Sequence, residues 1–257
     1  LEYKKNLILQ GPPGVGKSFA TELIAYSMMG EEDSTRIETI QFHQSYAYED
    51  FIRGYRPSED GKLKPVDGVF LKFCDTARAD SDNSYFFIID EINRGNLSKI
   101  FGEAMFLIEK DKRGENVKLA YDNPENPYER FSIPPNVYII GTMNTADRSL
   151  AMVDYALRRR FVFYNLDPQF HSDKFKNHLL ERGVSGDLIE KIINKLESLN
   201  QTIAGDEKYL GSGYKIGHSY FCPDSDIVDN NEAWYRQIIK YEIEPLLKEY
   251  WFDDIER

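Results

Sequence analysis

Gly11-Pro12-Pro13-Gly14-Val15-Gly16-Lys17-Ser18 fits the pattern G-x-x-x-x-G-K-[ST], and its residue types are those a bound polyphosphate requires. Glycines let the backbone wrap phosphates, while loop amides and the N-terminus of a following helix turn positive dipole towards them. Lys17 reaches the β and γ phosphates, and Ser18 offers a hydroxyl to Mg2+. A second set of chemistry-bearing residues is Phe86-Phe87-Ile88-Ile89-Asp90-Glu91, an apolar run ending in two acids. Asp90 is expected to share the magnesium shell with Ser18, and Glu91 to polarise an attacking water. Two acids at a strand end can be merely solvated, but a phosphate loop earlier in the same chain favours the chemical role. Asn93 and Arg94 follow in the turn; they either face a γ-phosphate or neighbouring subunit, or cap the helix beginning near Leu97.

A third stretch runs from Val137 to Gly141 into Thr142-Met143-Asn144-Thr145-Ala146-Asp147-Arg148-Ser149. Asn144, a polar residue at the tip of a strand beside the acidic one, can hydrogen-bond both γ-phosphate and water. Asp147 and Arg148 either join it or cap the next helix. The fourth is Asp154-Tyr155-Ala156-Leu157-Arg158-Arg159-Arg160-Phe161, three arginines closing a helix. Such arginines, with Arg159 and Arg160 the chosen candidates, stabilise transition-state charge across a subunit boundary. The alternative is a helix C-terminus that favours cations.

The elements that would position these groups alternate. Apolar, β-branched and aromatic runs at Asn6 to Gln10, Ile37 to Phe42, Tyr85 to Asp90, Val137 to Asn144 and Phe161 to Leu166 read as buried strands. Helical spacing fills Lys17 to Met29, Tyr48 to Tyr55, Phe70 to Ala79, Leu97 to Lys110 and Ala151 to Arg159. The expected fold class is α/β, a parallel five-stranded sheet between helices. Two excursions interrupt it: Arg56 to Gly68, rich in Pro, Gly and charge, and Asp111 to Pro135, which reads as a β-hairpin of Val117 to Tyr121 with Glu129 to Ile133. After Pro168 the pattern turns helical, with Ile189, Ile192, Ile193, Leu196 and Leu199 on one face, a Gly-rich Gly211 to Gly217, and a last helix from Ala233 to Lys248 that bends or restarts at Pro245. The expected domains are 1–167, a large α/β nucleotide-binding domain, and 168–257, a smaller, mainly helical one.

At 257 residues, 41% hydrophobic and 29% charged, the chain is long enough for a proper core. A net charge of −11 argues against a DNA-coating surface, so any nucleic-acid contact is expected to be local. Cys74 and Cys222 form no metal-binding spacing and read as structural thiols. No apolar run approaches the roughly 18 residues of a membrane span, and no leader opens the chain, so the expectation is a cytoplasmic protein with no membrane partner. Leu1 stands a few residues before a nucleotide-binding strand, which suggests that the chain begins inside a longer protein.

Together these spaced elements form the AAA+ pattern. Gln41-Phe42-His43-Gln44-Ser45-Tyr46, Asp50-Phe51-Ile52-Arg53-Gly54-Tyr55-Arg56-Pro57, Ile89-Asp90-Glu91-Ile92-Asn93-Arg94, Met143-Asn144-Thr145-Ala146-Asp147-Arg148-Ser149 and Ile216-Gly217-His218-Ser219-Tyr220-Phe221 resemble the McrB family over nearly the whole chain. The resemblance implies a motor that forms a hexameric ring on nucleotide, hydrolyses GTP with Mg2+, is stimulated by an McrC-like endonuclease subunit, and meets DNA through that complex. It also makes the helical domain a lid, Asn144 to Arg148 a family signature, and Arg158 to Arg160 the place to seek trans-acting arginines. The family's N-terminal domain, which reads the modified base, is not in this sequence. Pro223-Asp224 is followed by a polar stretch, not a nuclease strand, so the nuclease is expected on another chain. GTP preference rests on the resemblance, and local sequence permits ATP: Asn194-Lys195-Leu196-Glu197 imitates a guanine-reading motif but sits inside an apolar-periodic helix. Lys215 and His218 either approach phosphate or take surface and core places. The competing expectation is a MoxR-like ATPase that remodels protein complexes.

Overall fold

A computed structural model describes residues 1–59, 61–121, 126, 129–147, 155–223 and 230–252. In chain order the first elements are β1 (Asn6–Gly11), α1 (Lys17–Met29), β2 (Ile37–Gln41), α2 (Tyr48–Phe51), β3 (Arg53–Pro57), β4 (Leu63–Asp67), α3 (Val69–Ala79) and β5 (Tyr85–Asp90). They are followed by α4 (Leu97–Phe101), α5 (Ala104–Leu107), β6 (Val137–Asn144), α6 (Tyr155–Arg160) and β7 (Val162–Asn165). The remainder is helical: α7 (Asp173–Glu181), α8 (Gly186–Gly205), α9 (Asn231–Ile238) and α10 (Glu244–Tyr250).

Among the described residues, five of the strands form one sheet in the order β2-β5-β6-β1-β7. The pairings of β2 with β5, β5 with β6 and β1 with β7 are parallel. The inner strands β5, β6 and β1 are buried along most of their length, which is why they read as near-continuous apolar runs. The edge strands β2 and β7 are largely half-exposed. Each inner strand hands its chain to one of the chemistry-bearing segments: β1 to Gly11–Ser18, β5 to Asp90 and Glu91, β6 to Asn144.

By density of contact the chain divides into two compact units. The first comprises Leu1–Gln10, Ser18–Met143 and Asp147–Asn165; the second comprises Gly11–Lys17, Asn144–Ala146 and Leu166–Arg257. Within the first, an aromatic block fixes β5. Phe51 and Phe70 stack with ring centroids 4.8 Å apart, and Phe87 of β5 meets both edge-on at 5.7 and 5.0 Å. β1 is fixed by Asn6, wholly buried, whose Nδ2 donates to the carbonyls of Ile108 (2.7 Å) and Arg160 (3.1 Å). Its Oδ1 accepts from Arg113 Nη2 at 2.8 Å. A buried amide with three such partners pins the strand that leads into the phosphate loop.

Several expectations from sequence need correction. The helix expected over Tyr48 to Tyr55 ends at Phe51, and Arg53–Pro57 pairs antiparallel with Leu63–Asp67, so the Pro- and charge-rich excursion contains a two-stranded ladder. Arg53 explains the change: buried to 3% exposure, it reaches Glu129 through Nη1 (2.8 Å) and Nη2 (3.0 Å) and also pairs with Asp67 of β4. The single helix expected over Leu97 to Lys110 breaks at Gly102, where φ is +49° and a Cβ would lie 2.6 Å from the Tyr48 ring. The expected hairpin after Asp111 shows one antiparallel bridge, Val117 with Phe131, among the described residues; its turn lies outside them. The start of the helix expected from Ala151 likewise lies outside them.

In the second unit α8 buries Leu188, Ile189, Ile192, Ile193, Leu196 and Ile203, the face its 3.6-residue period defines, and Ser185 caps its N-terminus. Asn194 to Glu197 lie within it. The last helical stretch does not simply bend: α9 passes through a π-helical turn, Ile239–Ile243, before α10 carries Pro245 in its first turn. Proline has no N–H and crowds the preceding turn, and the widened turn removes that conflict. Among the described residues no helix is long and apolar enough to cross a membrane.

Candidate functional site

In the loop between β1 and α1, Gly14 (φ +74°) and Gly16 (φ +78°) occupy left-handed backbone that L side chains avoid. Lys17 Nζ bends over the loop and donates to the carbonyls of Gly11 (3.0 Å) and Pro12 (2.8 Å). Val15 is buried, whereas Pro13, Gly16 and Lys17 are half-exposed. Thr145, just beyond β6, donates its N–H to the Gly11 carbonyl (3.1 Å) and its hydroxyl to the Gly213 carbonyl (2.8 Å). Asn144 beside it accepts at Oδ1 from the Ala146 N–H (3.2 Å), which leaves its amide nitrogen as a donor.

Ser18 belongs to the first unit. Its Oγ donates to Asp90 Oδ1 at 3.2 Å, so the hydroxyl and carboxylate predicted to share a magnesium shell do meet. A third group converges there: Thr142, 2% exposed, donates its hydroxyl to the same Asp90 oxygen and accepts from the Glu91 N–H at 3.1 Å. Sequence reading missed Thr142, absorbing it into an apolar strand. The available signal was a hydroxyl two residues before Asn144, hence on the same strand face. Ser18 Oγ and Asp90 Oδ1 are hard oxygen donors suited to Mg2+, which takes one or two protein oxygens and completes its octahedron with water and phosphate oxygens. Among the described residues no cluster of three or more His, Cys, Asp or Glu could hold a metal by itself.

Glu91 stands at φ +51°, ψ +46°, in the left-handed region where a glutamate is strained. Its Oε2 lies 3.3 Å from Arg94 Nε, and Arg94 Nη2 lies 3.3 Å from Asp147 Oδ2. Arg94 therefore links the strained glutamate to the stretch after β6. It does not cap α4; that role belongs to Asn96, whose side chain accepts from the Lys99 N–H at 3.1 Å. Asn93 is buried, and its Oδ1 finds no hydrogen-bond partner among the described residues.

The arginines separate. Arg160 Nη2 lies 2.9 Å from Glu109 Oε1, with both side chains largely buried. Arg158 is exposed, its guanidinium 5.7 Å from the centre of the Phe163 ring. Arg159 is exposed with no side-chain partner among the described residues. The cation that serves the end of α6 is Lys4, whose Nζ donates to the carbonyls of Arg159 (2.8 Å) and Phe161 (3.3 Å). Arg148, Ser149 and Asp154 lie outside the described residues.

In the helical unit His218 is half-buried against the core: Nδ1 accepts from the Gln169 N–H at 3.1 Å, the ring packs edge-on to Phe170 and Phe175, and burial pushes its pKa down. Lys215 Nζ lies 3.8 Å from Asp167 Oδ1. The aromatic residues Phe170, Phe175 and Phe221 belong to this unit's core.

Residues 6–161 match the family model of the AAA domain, dynein-related subfamily, and residues 191–257 match that of the McrB α-helical lid domain. The chain is 52% identical over 255 residues to the Type IV methyl-directed restriction enzyme EcoKMcrB subunit of Escherichia coli K12, covering 99% of this chain and 55% of that protein. It is 24% identical over 285 aligned positions to the Type II restriction enzyme BsuMI component YdiS of Bacillus subtilis 168, covering 95% of this chain and 78% of that one. The chain thus spans little more than half the length of the E. coli relative. With a phosphate loop after β1, paired acids at the end of β5 and a matching helical lid, the chain belongs to the AAA family, dynein-related subfamily, and to the McrB family.

Proposed function

We propose that this chain is the motor module of an McrB-type restriction subunit, hydrolysing GTP with Mg2+ in a hexameric ring and driving DNA for an McrC-like endonuclease on another chain. The observation that carries the hydrolytic part is the convergence of Ser18 and Thr142 on Asp90, with Glu91 next along the chain in strained backbone. The restriction setting is supported by the relatives' names and by the McrB lid match, which also favours this reading over protein remodelling.

In this reading the loop amides and Lys17 hold the β and γ phosphates, and Ser18 and Asp90 would hold Mg2+, which when bound would supply neutralisation of the phosphate charge. Arg94 tethers one carboxylate oxygen of Glu91, which leaves the other to take a proton from the attacking water. Asn144, its oxygen engaged by Ala146, directs its amide nitrogen to γ-phosphate or water. Arg159 serves the site of the neighbouring subunit. Binding of the γ-phosphate closes the subunit interface and hydrolysis releases it.

Thr142→Val retains the shape of the side chain but removes a donor to Asp90 and leaves the Glu91 N–H without its acceptor. Turnover is expected to fall about 10-fold with nucleotide affinity little changed, and Thr142→Ser to restore it. Parallel measurement of kcat and nucleotide Kd checks this; an unaltered kcat in the valine variant refutes it.

The overall reading is tested by phosphate release from GTP and from ATP, with and without the endonuclease partner. The expected result is GTP-selective turnover that rises with the partner. ATP-selective turnover indifferent to the endonuclease would replace the reading with an ATPase that remodels protein complexes.

A further inference from the structure

The phosphate loop belongs to the same compact unit as the lid. Two backbone hydrogen bonds join them: Gly217 N–H donates to the Pro13 carbonyl at 2.9 Å, and Ser219 N–H to the Gly14 carbonyl at 2.8 Å. The approach is close enough to require glycine on both sides. A Cβ on Gly217 would lie 1.9 Å from the carbonyl carbon and oxygen of Gly14, and one on Gly14 would lie 2.5 Å from the Tyr220 ring. The turn carrying these donors is itself anchored. Asn200 of α8, 7% exposed, accepts from the Ile216 N–H at 2.6 Å and donates to the Ile216 carbonyl at 2.9 Å.

In a trans peptide the carbonyl and the next N–H point in opposite directions, and the described chain has no cis peptide. Fixing the carbonyls of Pro13 and Gly14 towards the lid turn therefore aims the N–H groups of Gly14 and Val15 away from it. Successive N–H groups aimed to one side form an anion-binding nest. We infer that the lid turn Ile216–Tyr220, anchored by Asn200, is a positioning element for the nucleotide's phosphates: it holds two peptide planes of the phosphate loop in the orientation that presents their amides. This rests on the proposal that the chain binds a nucleoside triphosphate, and it adds a role for lid backbone that acts through the phosphate loop.

Two alterations test it. Gly217→Ala forces the turn and loop apart. Replacing Ser219 with its α-hydroxy acid counterpart, which makes an ester of one peptide, deletes the single N–H that binds Gly14 and retains the side chain. Binding is read with ribose-labelled fluorescent GTP and ATP analogues, and folding with the unliganded melting temperature. We expect the ester variant to lose roughly 3- to 10-fold in affinity, the worth of about one hydrogen bond, and the alanine variant more than about 10-fold. Because amides read phosphate and not base, the fold-loss should be equal for whichever triphosphates the unaltered chain binds. The unliganded melting temperature of the ester variant should stay near that of the unaltered chain while its nucleotide-induced rise shrinks. If Gly217→Ala fails to fold, the ester variant decides. Binding unaffected in the ester variant, or a loss confined to one base, overturns the inference. Failure of the unaltered chain to bind either analogue removes the nucleotide reading first.

Discussion

Replacing Glu91 by Gln is expected to abolish turnover while nucleotide binding persists. Glutamine preserves the size and a hydrogen-bonding oxygen but cannot take a proton from water, so the loss should be at least about 100-fold, the usual range for removing a positioned general base. Binding should survive because Lys17, Ser18, Asp90 and the loop amides are untouched, and Thr142 still receives the backbone N–H of residue 91. Single-turnover hydrolysis and equilibrium binding, measured on the same preparation, separate the two effects. Turnover close to that of the unaltered chain would remove Glu91 from the chemistry and leave the phosphate site standing.

The second large effect is expected at Arg159. Arg160 is engaged by Glu109 and Arg158 lies over Phe163, whereas Arg159 projects without a side-chain partner among the described residues. An arginine supplied across a subunit boundary is worth about 10³-fold or more in phosphoryl transfer, so Arg159→Ala should cost turnover on that scale. The mechanism has a signature that simple damage lacks. A ring mixing Arg159→Ala subunits with Glu91→Gln subunits contains interfaces where an intact Arg159 faces an intact Glu91, so mixing two inactive variants should recover activity. No recovery, with rings still forming, would assign the transition-state charge elsewhere.

How much of this was legible in the sequence depends on whether the physics is local. The phosphate loop and the acidic strand end are written in consecutive residues. β5 and β6 begin and end at the expected residues, because burial on both faces demands an unbroken apolar run. What failed locally was decided from afar. Tyr48 to Tyr55 has helical spacing, but Arg53 pairs with Asp67 and Glu129 and turns the chain into a strand. Gly102 breaks a helix because Tyr48, more than fifty residues earlier, occupies the space a side chain would need. In the site, Lys17, Ser18 and Asp90 were evident by type, whereas Thr142 and the Arg94 link to Asp147 depend on strand register and a left-handed turn. The lid's hydrogen bonds to Pro13 and Gly14 join residues some two hundred positions apart, beyond the reach of any periodicity.

The backbone at Glu91 has a consequence for how this protein tolerates change. Left-handed geometry is costly for glutamate and natural for glycine or asparagine. A selection for thermal resilience alone would therefore favour Gly or Asn here, gaining roughly 1 kcal/mol from relaxed strain while discarding the proposed base. With Glu91 as the proposed base, robustness and turnover at this position would pull in opposite directions, so a library screened for heat tolerance without an activity gate is expected to converge on a sturdier but catalytically silent protein.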